Sequence, residues 1–357
     1  MSVLDPIALF HDRSAAIKEY HEETGVPRAE LDISGGIDSA VMACLLKEAL
    51  GADKITMVHS RFSTSGDQTQ RAQGLADALG IPMIDFNGEA MFSALLESME
   101  YAIVQAHGGQ IWSIIENRVA SDPTILGSIR SCLRAPIGRG FNRLLGNGIR
   151  HGTGNECEDR FIRFYQKGGD GEVDTNPMAM LTKTEVYQLA FACGEVMGDD
   201  VKSALRPIIA ALPSPDLWGT GDGHSDEQEL LDWLGVPFTY GRVDPDTGKV
   251  LRFGTIERVA RFLDSQWGAC PAIETRLFID DLSQDEMRLL VEQAVKSPCF
   301  RGCAEFTTSN DFLMLLRATR RVERITRHKS NPVIATLGTR EALVSSGLLT
   351  NDLTLED

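Results

Sequence analysis

The hexapeptide Ser34-Gly35-Gly36-Ile37-Asp38-Ser39 sits between a short apolar run, residues 29–33, and a helix-forming run, residues 38–50, that closes at Gly51. A strand, a glycine turn and a helix in that order bring backbone N–H groups and a helix N-terminus to one point, which suits an anion. Ser34 and Ser39 add hydroxyl donors. Asp38 would repel a bare phosphate, so its presence points to an intervening Mg²⁺. The competing reading is a plain tight turn with Asp38 or Ser39 capping the next helix. The context favours phosphate. The stretch is neither Gly-x-x-x-x-Gly-Lys-Ser/Thr nor Gly-x-Gly-x-x-Gly, so a Walker loop and a Rossmann dinucleotide turn are both disfavoured.

Working outward, residues 6–24 have helical apolar spacing and stop at Gly25. Residues 54–59 and 81–86 read as strands, and residues 68–79 as the helix between them. This alternation predicts an α/β fold, a doubly wound parallel sheet, with ligands outside the carboxyl ends of its strands. Residues 1–235 are expected to form that domain, with an insertion at about 97–125. Residues 236–308 read as an inserted helical appendage without an evident role. Residues 309–357 read as a C-terminal helix and tail that complete the substrate site. Helices are expected at 255–263, 284–295 and 311–327.

The 35 basic and 51 acidic residues leave a net charge of −16, which argues against a nucleic-acid partner. No apolar run approaches a bilayer span, and residues 1–10 lack a basic leader, so a cytoplasmic, non-membrane protein is expected. Seven scattered cysteines read as reduced thiols. Cys270, Cys299 and Cys303 do not have zinc-site spacing.

Ser-Gly-Gly-x-Asp-Ser after a first strand resembles the PP-loop of the N-type ATP pyrophosphatases, whose fold is adenine nucleotide alpha-hydrolase-like. These enzymes cleave ATP between the α- and β-phosphates. Later segments are similar to those of NAD synthetases. They are Gly152-Thr153-Gly154-Asn155 to Glu158; Lys167, Gly169-Asp170-Gly171, Asp174 and Pro177; Leu181-Thr182-Lys183; Pro213-Ser214-Pro215-Asp216-Leu217 with Asp226-Glu227; and His328-Lys329 with Pro332. Three features depart from the family pattern: Ser330 in place of an Arg, the polar run Gly148-Ile149-Arg150-His151, and the length of residues 236–308.

The resemblance implies an ATP site at Ser34, Gly35, Gly36, Ile37, Asp38, Ser39, Thr153, Lys183 and Ser214. It implies Mg²⁺ on Asp38 and Glu158, with Glu156 as the close competitor, and catalytic roles for Asp38 and Lys183. Deamido-NAD would meet Lys167, Asp174, His328, Lys329 and one of Arg130 and Arg134, with Arg134 favoured. Independently of the resemblance, Thr182 and Glu185 form a Ser/Thr-x-x-Glu capping box that starts a helix at Lys183. A cation there opposes the helix dipole unless an anion reverses the sign.

The implied reaction is ATP-dependent amidation of deamido-NAD with ammonia through an acyl adenylate, in a homodimer. No glutaminase segment precedes the loop, so free ammonia, or ammonia from a separate glutaminase, is the expected nitrogen donor. The alternatives are another PP-loop amidating enzyme of the GMP synthetase type and a nucleotide-binding protein without turnover.

Overall fold

The strand Ala29–Asp32 (β1) alternates strictly. Ala29 and Leu31 face an apolar layer, whereas Glu30 faces Asn142 and Arg150. Period-two alternation with both faces buried requires helices on both sides. In this computed structural model of the chain they are there. The structure describes residues 3–122, 124–163, 165–166, 168–214, 225–267, 279, 282–326, 329, 335–336 and 338–353.

Helix α1 (Pro6–Thr24) precedes β1, and α2 (Ile37–Leu50) follows it. Then come β2 (Ile55–Arg61), α3 (Gly66–Leu79) and β3 (Met83–Asn87). Three helices follow in succession, α4 (Glu89–His107), α5 (Gln110–Ser121) and α6 (Thr124–Leu145), before β4 (Ile149–Arg150). The described residues of the expected insertion at 97–125 are therefore helical apart from short joints. The four strands are parallel in the order β3-β2-β1-β4. A parallel bridge from His151 to Thr175 extends the sheet toward β5 (Thr175–Asn176).

Helices α7 (Lys183–Met197) and α8 (Asp199–Ala210) pack with α1, α2 and α3 on the apolar face. Helix α6 lies against β1 and β2 on the other. Under α6 the buried layer is ionic. Arg150 pairs with Glu30 and Asp32, and Asn142 donates to Glu30 at 2.8 Å. The polar strand before Gly152 is thus one side of a buried charge cluster.

A second apolar core begins with α9 (Asp226–Leu234), which the β6–β7 hairpin (Arg242–Val243, Val250–Arg252) follows. It is built from α9, α10 (Thr255–Trp267), α11 (Gln284–Lys296) and α12 (Ser309–Thr326). Cys157, Phe161 and Ile162, from a π-helical turn at Glu156–Ile162, join it. That turn touches both the sheet domain and the helical region. Strand β8 (Ala335–Thr336) pairs in parallel with β5, and α13 (Arg340–Ser345) returns to the first core, where Leu343 packs. Among the described residues no helix is long and apolar enough to cross a membrane.

Candidate active site

Gly36 is the N-cap of α2 and makes no side-chain capping bond. The first N–H groups of the helix are therefore left for another acceptor. Gly35 has φ 80°, and a Cβ on it would stand 2.3 Å from the carbonyl oxygen of Gln68, so glycine is required twice over. The two serines brace the loop. Ser34 N–H donates to Ser39 Oγ at 3.1 Å, the two hydroxyls are 3.0 Å apart, and Ser39 donates to Gly36 O at 3.1 Å.

The loop borders a cavity of about 450 Å³ at the carboxyl ends of β1 and β4. Ser34, Gly36, Ile37 and Asp38 line it; Gly35 and Ser39 do not. Ser39 is 3% exposed, and its hydroxyl is used inside the loop. Thr153, Glu158, Lys183, Ser214, Arg134 and Lys329 also line the cavity. Arg130 instead lies over the Phe92 ring, 4.8 Å from its centroid. Asp174 is not in the lining. It accepts from Arg139 at 3.0 Å and from the Arg150 backbone at 2.8 Å, and burial, which would raise its pKa, is outweighed by those donors. Lys167, His328, Cys270, Pro215, Asp216, Leu217, Ser330 and Pro332 fall outside the described residues.

Lys183 carries the centre of the site. The capping box forms as expected: Thr182 N–H donates to Glu185 Oε2 at 2.8 Å, and Glu185 N–H donates to Thr182 Oγ1 at 3.4 Å. This starts α7 at Lys183 and aims its side chain across the cavity floor. Its Nζ donates to Asp38 Oδ2 at 2.5 Å and to Glu158 Oε1 at 2.7 Å. At 2% exposure this is no solvated surface lysine. Burial would lower its pKa, but Asp38 and Glu158 overcome it and hold the ammonium well above the ordinary lysine value. Burial pushes the Glu158 carboxyl up, Lys183 opposes, and Asp38 adds repulsion.

Glu158 and Glu156 are separated by geometry. Glu156 points away from the cavity into a cluster of arginines, pairing with Arg160 and Arg261. Asn155 was quoted in the sequence motif without a role. It is fully buried, donates to Asp38 Oδ1 at 3.0 Å and accepts from the N–H groups of Cys157 and Glu158 at 3.1 and 3.2 Å. It therefore fixes both carboxylates at once. Asp226 lines the cavity, is 8% exposed, and its Oδ1 has no hydrogen-bond partner among the described residues. Burial first, then Glu158, pushes its pKa up to about 8. Its only sequence signal was a place in the Asp-Glu pair. Two further groups shape the wall: Ser131 donates to Asp170 at 2.9 Å, and Lys329 Nζ donates to Tyr165 O at 2.6 Å.

Two carboxylates converging on a single cation suit Mg²⁺, which takes one or two protein carboxylates and fills its octahedron with water and phosphate oxygens. Among the described residues no group of three or more Asp, Glu, His or Cys side chains is placed to hold a metal ion.

The sequence profile of the family described as NAD synthase matches residues 9–245, which include Asp38, Asn155, Glu158, Lys183 and Asp226 but not Lys329 of the cavity wall. The chain belongs to the NAD synthase family. It is 33% identical over 217 residues to the NH(3)-dependent NAD(+) synthetase of Methanosarcina acetivorans, covering 60% of this chain and 73% of that one. To the protein of the same name from Methanococcoides burtonii it is 30% identical over 239 residues, 67% of this chain and 77% of that one. Among solved structures, the NMN synthetase from Francisella tularensis has a TM-score of 0.57 at 19% identity, covering 93% of this chain and 98% of that chain. A glutamine-dependent NAD(+) synthetase from Cytophaga hutchinsonii has a TM-score of 0.58 at 14% identity, covering 99% of this chain and 54% of that one. These two likenesses concern the fold, and they extend over the C-terminal helical region that the family profile leaves out.

Proposed function

We propose that this chain amidates deamido-NAD with ammonia at the expense of ATP, releasing NAD, AMP and diphosphate. One observation carries the reading. In a member of the NAD synthase family, Asp38, Glu158 and Lys183 meet within hydrogen-bond distance beside an uncapped helix N-terminus and a glycine turn.

A carboxylate resists ammonia because it has no usable leaving group. Attack of a nicotinate oxygen on the α-phosphorus forms the acyl–O–P bond and breaks the bond to diphosphate. Ammonia then adds to the acyl carbon, and AMP leaves with the bridging oxygen. The N–H groups at the start of α2 hold the departing diphosphate, and Lys183 neutralises charge as it develops. Asp38 and Glu158 would hold Mg²⁺, which lowers the charge repulsion of the polyphosphate when bound. Thr153 and Ser214 face the nucleotide. Arg134 and Lys329 face the dinucleotide acid, with Lys167 and His328 as further contacts; Asp174, held by Arg139 and the Arg150 backbone outside the cavity lining, supports that wall instead. Asp226, poised near pH 8, is suited to take the proton that ammonium must lose.

Homodimer formation is part of the proposal. Helices α4 and α5 bury only Phe92 between them and expose Tyr101 and Ile114 at 69% and 62%. An apolar helical face of that kind suits a second copy of the chain.

Product analysis with ATP, deamido-NAD and ammonium tests the reading. NAD, AMP and diphosphate in equal amounts are expected. ADP and phosphate, or unchanged deamido-NAD, would refute it. Nicotinate mononucleotide run in parallel separates the two acids.

A further inference from the structure

The chain beyond residue 245 lies outside the family match, yet it reaches the candidate site through buried charge. Glu156 stands two residues from Glu158 in the same π-helical turn, and Glu185 stands two residues from Lys183 in the first turn of α7. Both carboxylates are buried, at 1% and 0% exposure. Arg340, the first residue of α13, spans them. It donates to the two oxygens of Glu185 at 2.8 and 2.9 Å and lies 3.9 Å from Glu156 Oε2. From α10, Arg261 pairs with the same Glu156 oxygen and stands 3.3 Å from Asp264. The backbone repeats the link, since Glu156 N–H donates to Leu181 O at 2.7 Å.

Each member of the Lys183–Glu158 pair therefore has, two residues away, a buried carboxylate held by a guanidinium from the C-terminal region. A fork–fork contact fixes distance and plane together, which an ammonium does not. The packed interior transmits a change in that spacing to the cavity side rather than absorbing it.

We propose that Arg340 is a positioning residue for the reaction, assisted by Arg261: by bridging Glu185 and Glu156 it sets the separation of Lys183 and Glu158. This rests on the reading of the site as an ATP-cleaving amidation centre. It also gives the C-terminal helical region a task, namely to brace the turn and the helix start that carry those two groups.

The test uses the full chain with Arg340→Lys, which keeps the charge and loses the fork, and Arg261→Lys as a second variant should the first fold poorly. Per folded molecule, kcat is expected to fall by about 10- to 100-fold, the cost of a displacement on the order of 1 Å at a reacting group. The KM for deamido-NAD should stay at the wild-type value, while ATP affinity by calorimetry falls. In a Lys183→Ala background the Arg340→Lys change should leave ATP affinity where Lys183→Ala put it, because the Lys183–Glu158 spacing that Arg340 sets no longer exists once Lys183 is gone. A wild-type kcat in folded Arg340→Lys, or an equal loss of ATP affinity in both backgrounds, would overturn the positioning role. A wild-type chain that makes no NAD in the parallel assay would overturn the underlying reading and this inference with it.

Discussion

Lys183 Nζ lies 2.5 Å from Asp38 Oδ2, although the two residues are 145 positions apart in the chain. One sits in the first turn of α7, the other in the first turn of α2, so the ends of two helices are held together by a buried ion pair at the edge of the cavity. Removing Lys183 leaves Asp38 and Glu158 without their shared counterion, whereas removing Asp38 leaves Lys183 with Glu158 alone. Lys183→Ala should reduce kcat/KM by at least about 100-fold, given what preorganised charge contributes to such a step. It should cost about 1–3 kcal/mol of stability, below the value for a fully enclosed pair because Asp38 and Glu158 border the cavity. Asp38→Ala should abolish turnover. Steady-state kinetics with thermal melts checks both; a Lys183→Ala protein with normal ATP kinetics would remove Lys183 from the site.

Gly35→Ala should damage the phosphate loop more than the fold. The added Cβ meets the carbonyl oxygen of Gln68 at 2.3 Å, and φ 80° is strained for alanine, at a cost of about 1–3 kcal/mol. Calorimetry should show weakened ATP binding at temperatures where circular dichroism shows an intact chain.

His21 and His151 give the protein an acid-sensitive point. His21 Nδ1 donates to Val26 O at 2.6 Å, so its Nε2 accepts from His151 Nε2 at 2.9 Å. Burial, with His21 beside it, pushes the His151 pKa down to about 3. Between the ordinary histidine pKa of about 6.5 and that value, the unfolded chain binds the extra proton and the folded one does not. Stability from this group is therefore full above about pH 6.5 and falls as pH drops toward 3. His151→Gln should flatten that part of the plot of Tm against pH.

Asp226→Asn removes the carboxyl whose pKa burial, and then Glu158, push up to about 8. If it takes the ammonium proton, its loss should lower kcat by about 10²-fold or more, the range for a positioned acid–base group, and erase one limb of the pH profile. The folded-state pKa is raised, so the stability linked to this proton is greatest at low pH and declines up to about pH 8. The Asn variant should lose that decline too.

Local chemistry carried much of the fold into the sequence. Helix α1 ends where Gly25 takes φ 69°, and α7 begins where Thr182 and Glu185 close their capping box. Strand alternation and glycine stops set the order of β1, α2, β2, α3 and β3. The glycine turn before α2 was legible for the same reason: its glycines and helix start lie within six residues. What pairing across the chain decides was not legible. Nothing near Arg340 signals that it meets Glu185, and nothing near Asn155 signals that it holds Asp38. Residues 236–308 looked like an appendage because the apolar faces of α10 and α11 find their partners in α9, α12 and the π-helical turn. Arg150 and His151 make the strand before Gly152 polar against the family pattern, and the partners that account for them, Glu30, Asp32 and His21, come from distant segments.

The acyl adenylate is the centre of the account, and oxygen tracing reaches it most directly. Deamido-NAD labelled with ¹⁸O in the nicotinate carboxylate would be turned over with ATP and ammonium, and the products read by mass spectrometry. One labelled oxygen should appear in AMP and none in diphosphate, because the attacking carboxylate oxygen stays on the α-phosphorus when ammonia displaces AMP. NAD formed with unlabelled AMP, or label recovered in inorganic phosphate, would contradict it.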